Sequence, residues 1–209
     1  MILGTFYRWC RLNGDKLPLD FSLFLIFVDL ITQNNQFMRY FIVILLSACI
    51  STVYGQNSID DKLKELGIEL INPTAPVANY AKAVRTGNLV YLSGHGPTKA
   101  DGKDIMGKVG KDLTVEQGIE AAKRTAVSLI STLKVELGGD LSRVRRIVKV
   151  NGWVNCTDSF KDQPKVMNGC SDLLVAVFGQ KGKHARTSLG TNALPSNIAI
   201  EIEMIVEVD

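Results

Sequence analysis

The stretch most informative of chemistry lies near the C-terminal end: His184-Ala185-Arg186-Thr187-Ser188-Leu189-Gly190, then Ala193-Leu194-Pro195, then the strand that carries Glu201 and Glu203. An arginine presents a planar fork that holds a carboxylate through two parallel hydrogen bonds, a geometry lysine cannot offer. A glutamate can orient water or pass a proton. Glu201 follows Arg186 by fifteen positions, so the two can sit on neighbouring strands and line one pocket without sharing a loop. That pair would suit capture of a small carboxylate-bearing substrate beside an acid–base group. Each residue also has a plainer reading, Arg186 as a rim or salt-bridge residue and Glu201 as a solvated strand residue like Glu203 and Glu207.

The elements that must position them can be read from periodicity. Residues 198–208, Ile-Ala-Ile-Glu-Ile-Glu-Met-Ile-Val-Glu-Val, alternate apolar with polar at period two, and only Ile205 interrupts the polar side. This predicts a half-buried strand carrying Glu201 on its polar face. Upstream, residues 88–93 read as a strand ended by Gly94-His95-Gly96-Pro97, and a weaker strand is expected over 105–109. Residues 114–137 predict a helix. Thr114 and Gln117 form a capping box, apolar residues recur at steps of three and four, and Gly138-Gly139 stops it. Residues 145–156 read as a strand, and Pro164 opens a second helix whose face is Val166, Met167, Cys170, Leu173, Leu174 and Val177. A short helical segment over 59–66 leads into Gly67. Strands, helix, strand, helix and strands in that order make an α+β fold, a single sheet with two helices on one face and the other face bare.

These residues resemble the RidA (YjgF-type) family of enamine/imine deaminases. The family's C-terminal signature is an Arg followed by a small hydroxyl residue, then Leu-Pro, then a strand reading Ile-Glu-Ile-Glu. Asn79-Tyr80 followed by Gly-Asn-Leu-Val-Tyr-Leu-Ser-Gly at 87–94 resembles its first hairpin, and the thirteen-residue step from Tyr80 to Ser93 fits. The likeness spans roughly residues 63–209. It implies a chorismate-mutase-like fold in which three chains pack their sheets into a trimeric barrel with helices outside. The activity it implies is hydrolytic deamination of 2-imino or enamino acids to 2-keto acids and ammonia, without cofactor or metal. Arg186 takes the substrate-carboxylate position and Glu201 the acidic position near the substrate nitrogen. Tyr80, Ser93 and Gly94 line the cleft, and Asn168 matches a family Asn that reaches it across the trimer interface.

The chain departs from the family in two places. Thr187-Ser188 replaces a common Ser-Cys, so Ser188 offers a hydroxyl where others offer a thiol. His95 stands where Gln is common; a lone His at a strand end is ordinarily a solvent-facing loop residue, but here it lies one residue from the cleft, where it could alter substrate choice. These differences place the chain in a divergent, longer branch. The reading from another class is a non-catalytic binding protein for small carboxylate metabolites. Some relatives carry an endoribonuclease name, but a net charge of +3 and scattered Lys and Arg argue against nucleic acid. The sequence contains no Gly-x-Ser-x-Gly elbow, phosphate loop, dinucleotide fingerprint or His-rich metal pattern.

The apolar excess lies before residue 56, in runs 21–31 and 41–50. Each is short of the roughly twenty residues of a membrane-spanning helix. Residues 38–55 read as an export signal, with Met38-Arg39-Tyr40, an apolar core over 41–46 and a Val53-Tyr54-Gly55 cleavage site before Gln56. Leu46-Ser47-Ala48-Cys49 also resembles a bacterial lipobox, and a retained anchor is the plainer alternative. Residues 1–37 look like an over-extended or disordered N-terminus, leaving 56–209 as the domain. The protein is therefore expected to be periplasmic, secreted or lipid-anchored at Cys49 if Met38 is the start, and cytoplasmic otherwise. Cys156 and Cys170 fit no metal spacing and read as buried small hydrophobes, with a disulfide as the alternative in an exported domain.

Overall fold

The computed structural model describes residues 58–73, 75–76 and 78–209; the segments 1–37 and 38–55 lie outside the described residues. The elements in order are α1 (Ile59–Glu65), β1 (Ala83–Thr86), β2 (Leu89–His95), α2 (Val115–Glu136), β3 (Val144–Asn155), α3 (Gln163–Phe178), β4 (Ala185–Thr191) and β5 (Ile200–Val208). They build one five-stranded sheet in the order β1-β2-β5-β3-β4. Only the β3–β4 pair is parallel, because α3 is the crossover that brings the chain back beside β3.

β5 alternates as its sequence requires. Ile200, Ile202, Met204, Val206 and Val208 are buried against the helical layer, and Glu201, Glu203, Ile205 and Glu207 face the other way. Each such buried aliphatic contributes roughly 1.5–3 kcal/mol. α2 begins at Thr114, whose hydroxyl accepts from the Gln117 amide while the Gln117 side chain accepts from the Thr114 amide. It ends at Gly138 and Gly139, both with positive φ (69° and 96°). α3 packs on α2 so closely at Gly169 that a Cβ there would overlap the Ile119 carbonyl oxygen. The helical layer covers one face of the sheet. No element among the described residues covers the other, where Tyr91 and Leu189 stay 42% and 50% exposed.

The structure corrects one element. The strand expected over 105–109 is only a set of isolated bridges from Met106 and Val109 to Ile198, Leu113 and Cys156. Gly107 and Gly110, at φ 121° and 88°, turn the backbone out of a continuous ladder. Cys156, just after β3, and Cys170, in α3, are both free and buried, so the hydrophobe reading holds and the disulfide alternative falls. Among the described residues no helix is long and apolar enough to cross a membrane.

Candidate active site

Arg186 lies on β4, an edge strand. In the parallel ladder it pairs with Val150, a core residue, so it points to the helical side of the sheet. There its Nη1 donates to Asn168 Oδ1 at 2.9 Å and to Ser171 Oγ at 3.0 Å, both on α3. Asn168 and Ser171 are three apart, hence on one helix face. With both Nη1 hydrogens engaged, Nε–H and Nη2 remain as the fork for a carboxylate. Ser188, two residues on and on the same face, has a buried hydroxyl with no hydrogen-bond partner among the described residues. A buried polar atom left unpaired is costly, and beside an arginine fork it is a natural contact for a ligand. His184 completes the cluster, its Nε2 3.1 Å from Ser171 Oγ and its Nδ1 2.7 Å from the Gly182 carbonyl.

Glu201 occupies a different place. It pairs with Trp153 on the sheet face away from the helices, next to Glu203, whose carboxylate accepts from Asn151 Nδ2 at 2.8 Å. The β2–β5 register shifts between Leu92 and His95, and Glu201 lies against Gly94 in that irregular stretch. A Cβ on Gly94 would overlap Glu201 Oε1, so glycine is what lets the carboxyl rest on the β2 backbone. Burial raises the Glu201 carboxyl above the usual glutamate range, and the charge of Glu203 adds to it. A carboxyl moved in that direction is better matched to giving and taking protons near neutral pH.

Arg186 and Glu201 therefore do not line one pocket within a chain. β3 separates their strands, and their registers against β3 put them on opposite faces. Asn168 is likewise not a residue apart from Arg186, because it holds the guanidinium of its own chain. In place of the single-chain pairing expected from sequence, the structure has two separate clusters on opposite faces of the sheet: Arg186, Asn168 and Ser188 in one, Glu201 and Gly94 in the other.

Tyr80, Gly94 and His95 come together in a cavity of about 500 Å³ whose wall also includes Lys82, Ser128 and Thr132. Tyr80 is half exposed. Ser93 donates to the Ala81 carbonyl at 2.7 Å, which ties the Tyr80 segment to β2. His95 is not the solvent-facing loop residue of the plainer reading. It is 7% exposed and lies on the helical side, with Nδ1 2.6 Å from the Ser93 carbonyl and Nε2 2.8 Å from Thr132 Oγ1. The register shift before it returns His95 to the core face. Burial pushes its pKa below the ordinary histidine value. Among the described residues no group of His, Cys, Asp and Glu could hold a metal ion.

Residues 60–208 match the family profile described as "YjgF/chorismate_mutase-like, putative endoribonuclease". The chain belongs to the YjgF/RidA family. The family's chorismate-mutase-like α+β layer is the fold described above. Protein TCP17 of Trypanosoma cruzi is 38% identical over 159 residues, covering 76% of this chain and 99% of that protein. A protein named 2-iminobutanoate/2-iminopropanoate deaminase from Dermatophagoides farinae is 27% identical over 135 residues, 64% of this chain and 89% of its own length. Among solved structures, the Agrobacterium tumefaciens protein Atu1372, described as of unknown function, is 41% identical with a TM-score of 0.67, covering 73% of this chain and 94% of that one.

The sequence reading passed over Ser171 and His184. A signal for both was present: His184, Arg186 and Ser188 are spaced by two, so they can share one strand face, and Asn168 and Ser171 are spaced by three, so they share one helix face.

Proposed function

We propose that this YjgF/RidA family member hydrolyses reactive 2-imino or enamino acids to 2-keto acids and ammonia, at clefts between the subunits of a homotrimer. The observation that carries the reading is Glu201, a carboxyl with raised pKa resting on the Gly94 backbone, on the face that a single chain leaves bare. An arginine fork held by Asn168 on the opposite side of the same chain supports it. So does the 27% identity to a protein named as a deaminase of this class. Packing the bare face of one copy beside the β4 edge of the next brings Glu201 of one chain to Arg186 of another.

In that cleft Arg186 holds the substrate carboxylate and fixes the imine carbon near Glu201. The Glu201 carboxylate takes a proton from water as the water oxygen bonds to C2 of the protonated imine, giving a neutral carbinolamine. The same carboxyl then returns the proton to the amino nitrogen. The C–N bond breaks, its electron pair leaves with ammonia, and the hydroxyl oxygen becomes the keto oxygen as its proton passes to the Glu201 carboxylate, which releases it to solvent. Free imines hydrolyse in water unaided, so positioning and charge complementarity suffice.

The test generates imino acids in situ with an amino-acid oxidase and traps the survivors with semicarbazide. Wild type should lower trapping over a panel of side chains and Arg186→Ala should not. Equal trapping with and without protein overturns the enzyme reading. Glu201→Gln separates it from the non-catalytic binder, since an enzyme loses about 10²–10⁴ in rate and keeps its affinity for 2-ketobutyrate. Light scattering should report a trimer, and a monomer that still binds ligand would remove the shared cleft.

A further inference from the structure

Ser171 and His184 form a directed chain of hydrogen bonds ending on Arg186. The Gly182 carbonyl 2.7 Å from His184 Nδ1 can only accept, so Nδ1 carries the hydrogen. The Arg186 guanidinium can only donate, so Ser171 Oγ accepts from Nη1 at 3.0 Å. The Ser171 hydroxyl proton is then free for the remaining contact, His184 Nε2 at 3.1 Å, which accepts when the imidazole is neutral. Every direction in the chain is fixed by chemistry, and its end point is the pose of the guanidinium.

We propose that Ser171 and His184 are positioning residues for Arg186, and that capture of a carboxylate by Arg186 is coupled to protonation of His184. This rests on the reading of Arg186 as the carboxylate holder. Burial pushes His184 below its ordinary pKa, against the bond to the Gly182 carbonyl, which raises it, and the Arg186 charge adds to the lowering. An anion on the guanidinium cancels that charge, so imidazolium forms more readily in the bound state. The bound-state pKa then exceeds the free-state pKa, and binding takes up a proton. Affinity is flat above the bound-state pKa and rises as pH falls through the interval between the two values. Glu201, which the proposed cleft brings beside the bound anion, would couple with the same sign, so every protein in the test, the wild-type reference included, carries Glu201→Gln. The other ionisable groups around His184 do not supply this coupling. Cys170, buried on α3, is pushed up to about 12 by that burial, against the opposing pull of the Arg186 charge, and stays neutral. Lys181 is tied to the Val144 carbonyl, and Lys149 bonds Thr187. Asp172 and Lys183 are exposed.

The test is calorimetric titration of the full chain with benzoate between about pH 5 and 8, the span in which histidine changes charge. Buffers of different ionisation enthalpy report proton uptake. Wild type should bind about fivefold tighter at the acid end, the size of one well-screened charge pair. His184→Ala should lose affinity across the range. His184→Gln should restore it at the alkaline end, because its amide oxygen can accept from Ser171, but show no pH slope and no proton uptake. A wild-type profile without slope or uptake, or a slope that persists in His184→Gln, overturns the inference. Arg186→Ala keeps the two readings apart. If it binds benzoate as wild type does, or wild type binds none, the carboxylate-holder reading fails and the coupling with it. If Arg186→Ala abolishes binding while His184→Gln keeps the wild-type profile, only the coupling fails.

Discussion

Gly94→Ala should separate the site from the fold. Gly94 does not use a positive φ, so alanine fits its backbone. The added methyl would overlap Glu201 Oε1 and stand 2.8 Å from Cδ and 3.0 Å from Cγ. Restoring ordinary carbon–carbon contact near 3.5–4.0 Å moves the carboxyl by about 1 Å. The atoms in the way are the end of a flexible side chain, so the fold can yield. A forced rotamer costs about 0.5–1.5 kcal/mol, and the stiffer unfolded chain returns about 0.4–1 kcal/mol. The net should keep the melting temperature within about 2–4 °C of wild type. A carboxyl misplaced by about 1 Å should cost on the order of 10²-fold in turnover. Semicarbazide trapping measures the rate, and thermal melting by circular dichroism measures the fold. The decisive comparison is the double variant, where Gly94→Ala should add nothing to Glu201→Gln. Wild-type turnover in Gly94→Ala, or a further loss in the double variant, would refute the argument that Gly94 acts by seating Glu201.

Glu201→Gln bears on stability as well as rate. Because the folded pKa of Glu201 is raised, its stabilising contribution is present below the unfolded pKa and lost as pH rises through the folded one. Glutamine imitates the protonated form, so the variant should melt higher than wild type at about pH 8, and the two should converge at about pH 3.5, below the usual glutamate value near 4.3; the reverse ordering would mean the carboxylate is stabilised in the fold. Gly169→Ala meets the Ile119 carbonyl, a backbone atom that cannot rotate away, and should lose about 1–3 kcal/mol in urea unfolding. A loss below about 0.5 kcal/mol there would show that α2 and α3 can slide apart.

The layer structure was legible because its signals are local. The period-two run of β5 and the three-and-four steps of α2 name their buried faces directly, and the Thr114–Gln117 box and the Gly138-Gly139 stop fix the ends of α2. The candidate residues could be named, but their grouping could not. Whether Arg186 faces Asn168 or Glu201 depends on how β4 and β5 register against β3, and no spacing within either strand contains that information. The inward turn of His95 was hidden for a related reason, since a shift in pairing between Leu92 and His95 sets the face it takes and no local spacing shows it. Ser171 escaped because a serine on a helix becomes a partner for arginine only once β4 is laid parallel to β3.

The sheet order has a consequence for how the chain is made. β5, the last strand synthesised, sits in the middle of the sheet between β2 and β3. Before it emerges from the ribosome, the β1–β2 hairpin and the β3–α3–β4 unit have no strand between them and leave unpaired edges on the two sides of a gap. Synthesis proceeds at about 5–20 residues per second, so for several seconds both edges are open to pairing with other chains. Completion of the sheet is thus an insertion event that waits on β5. A nonsense codon anywhere between β4 and β5 would yield a product with nearly all of its helices and no continuous sheet, a substrate for chaperones and proteases rather than a weakened protein.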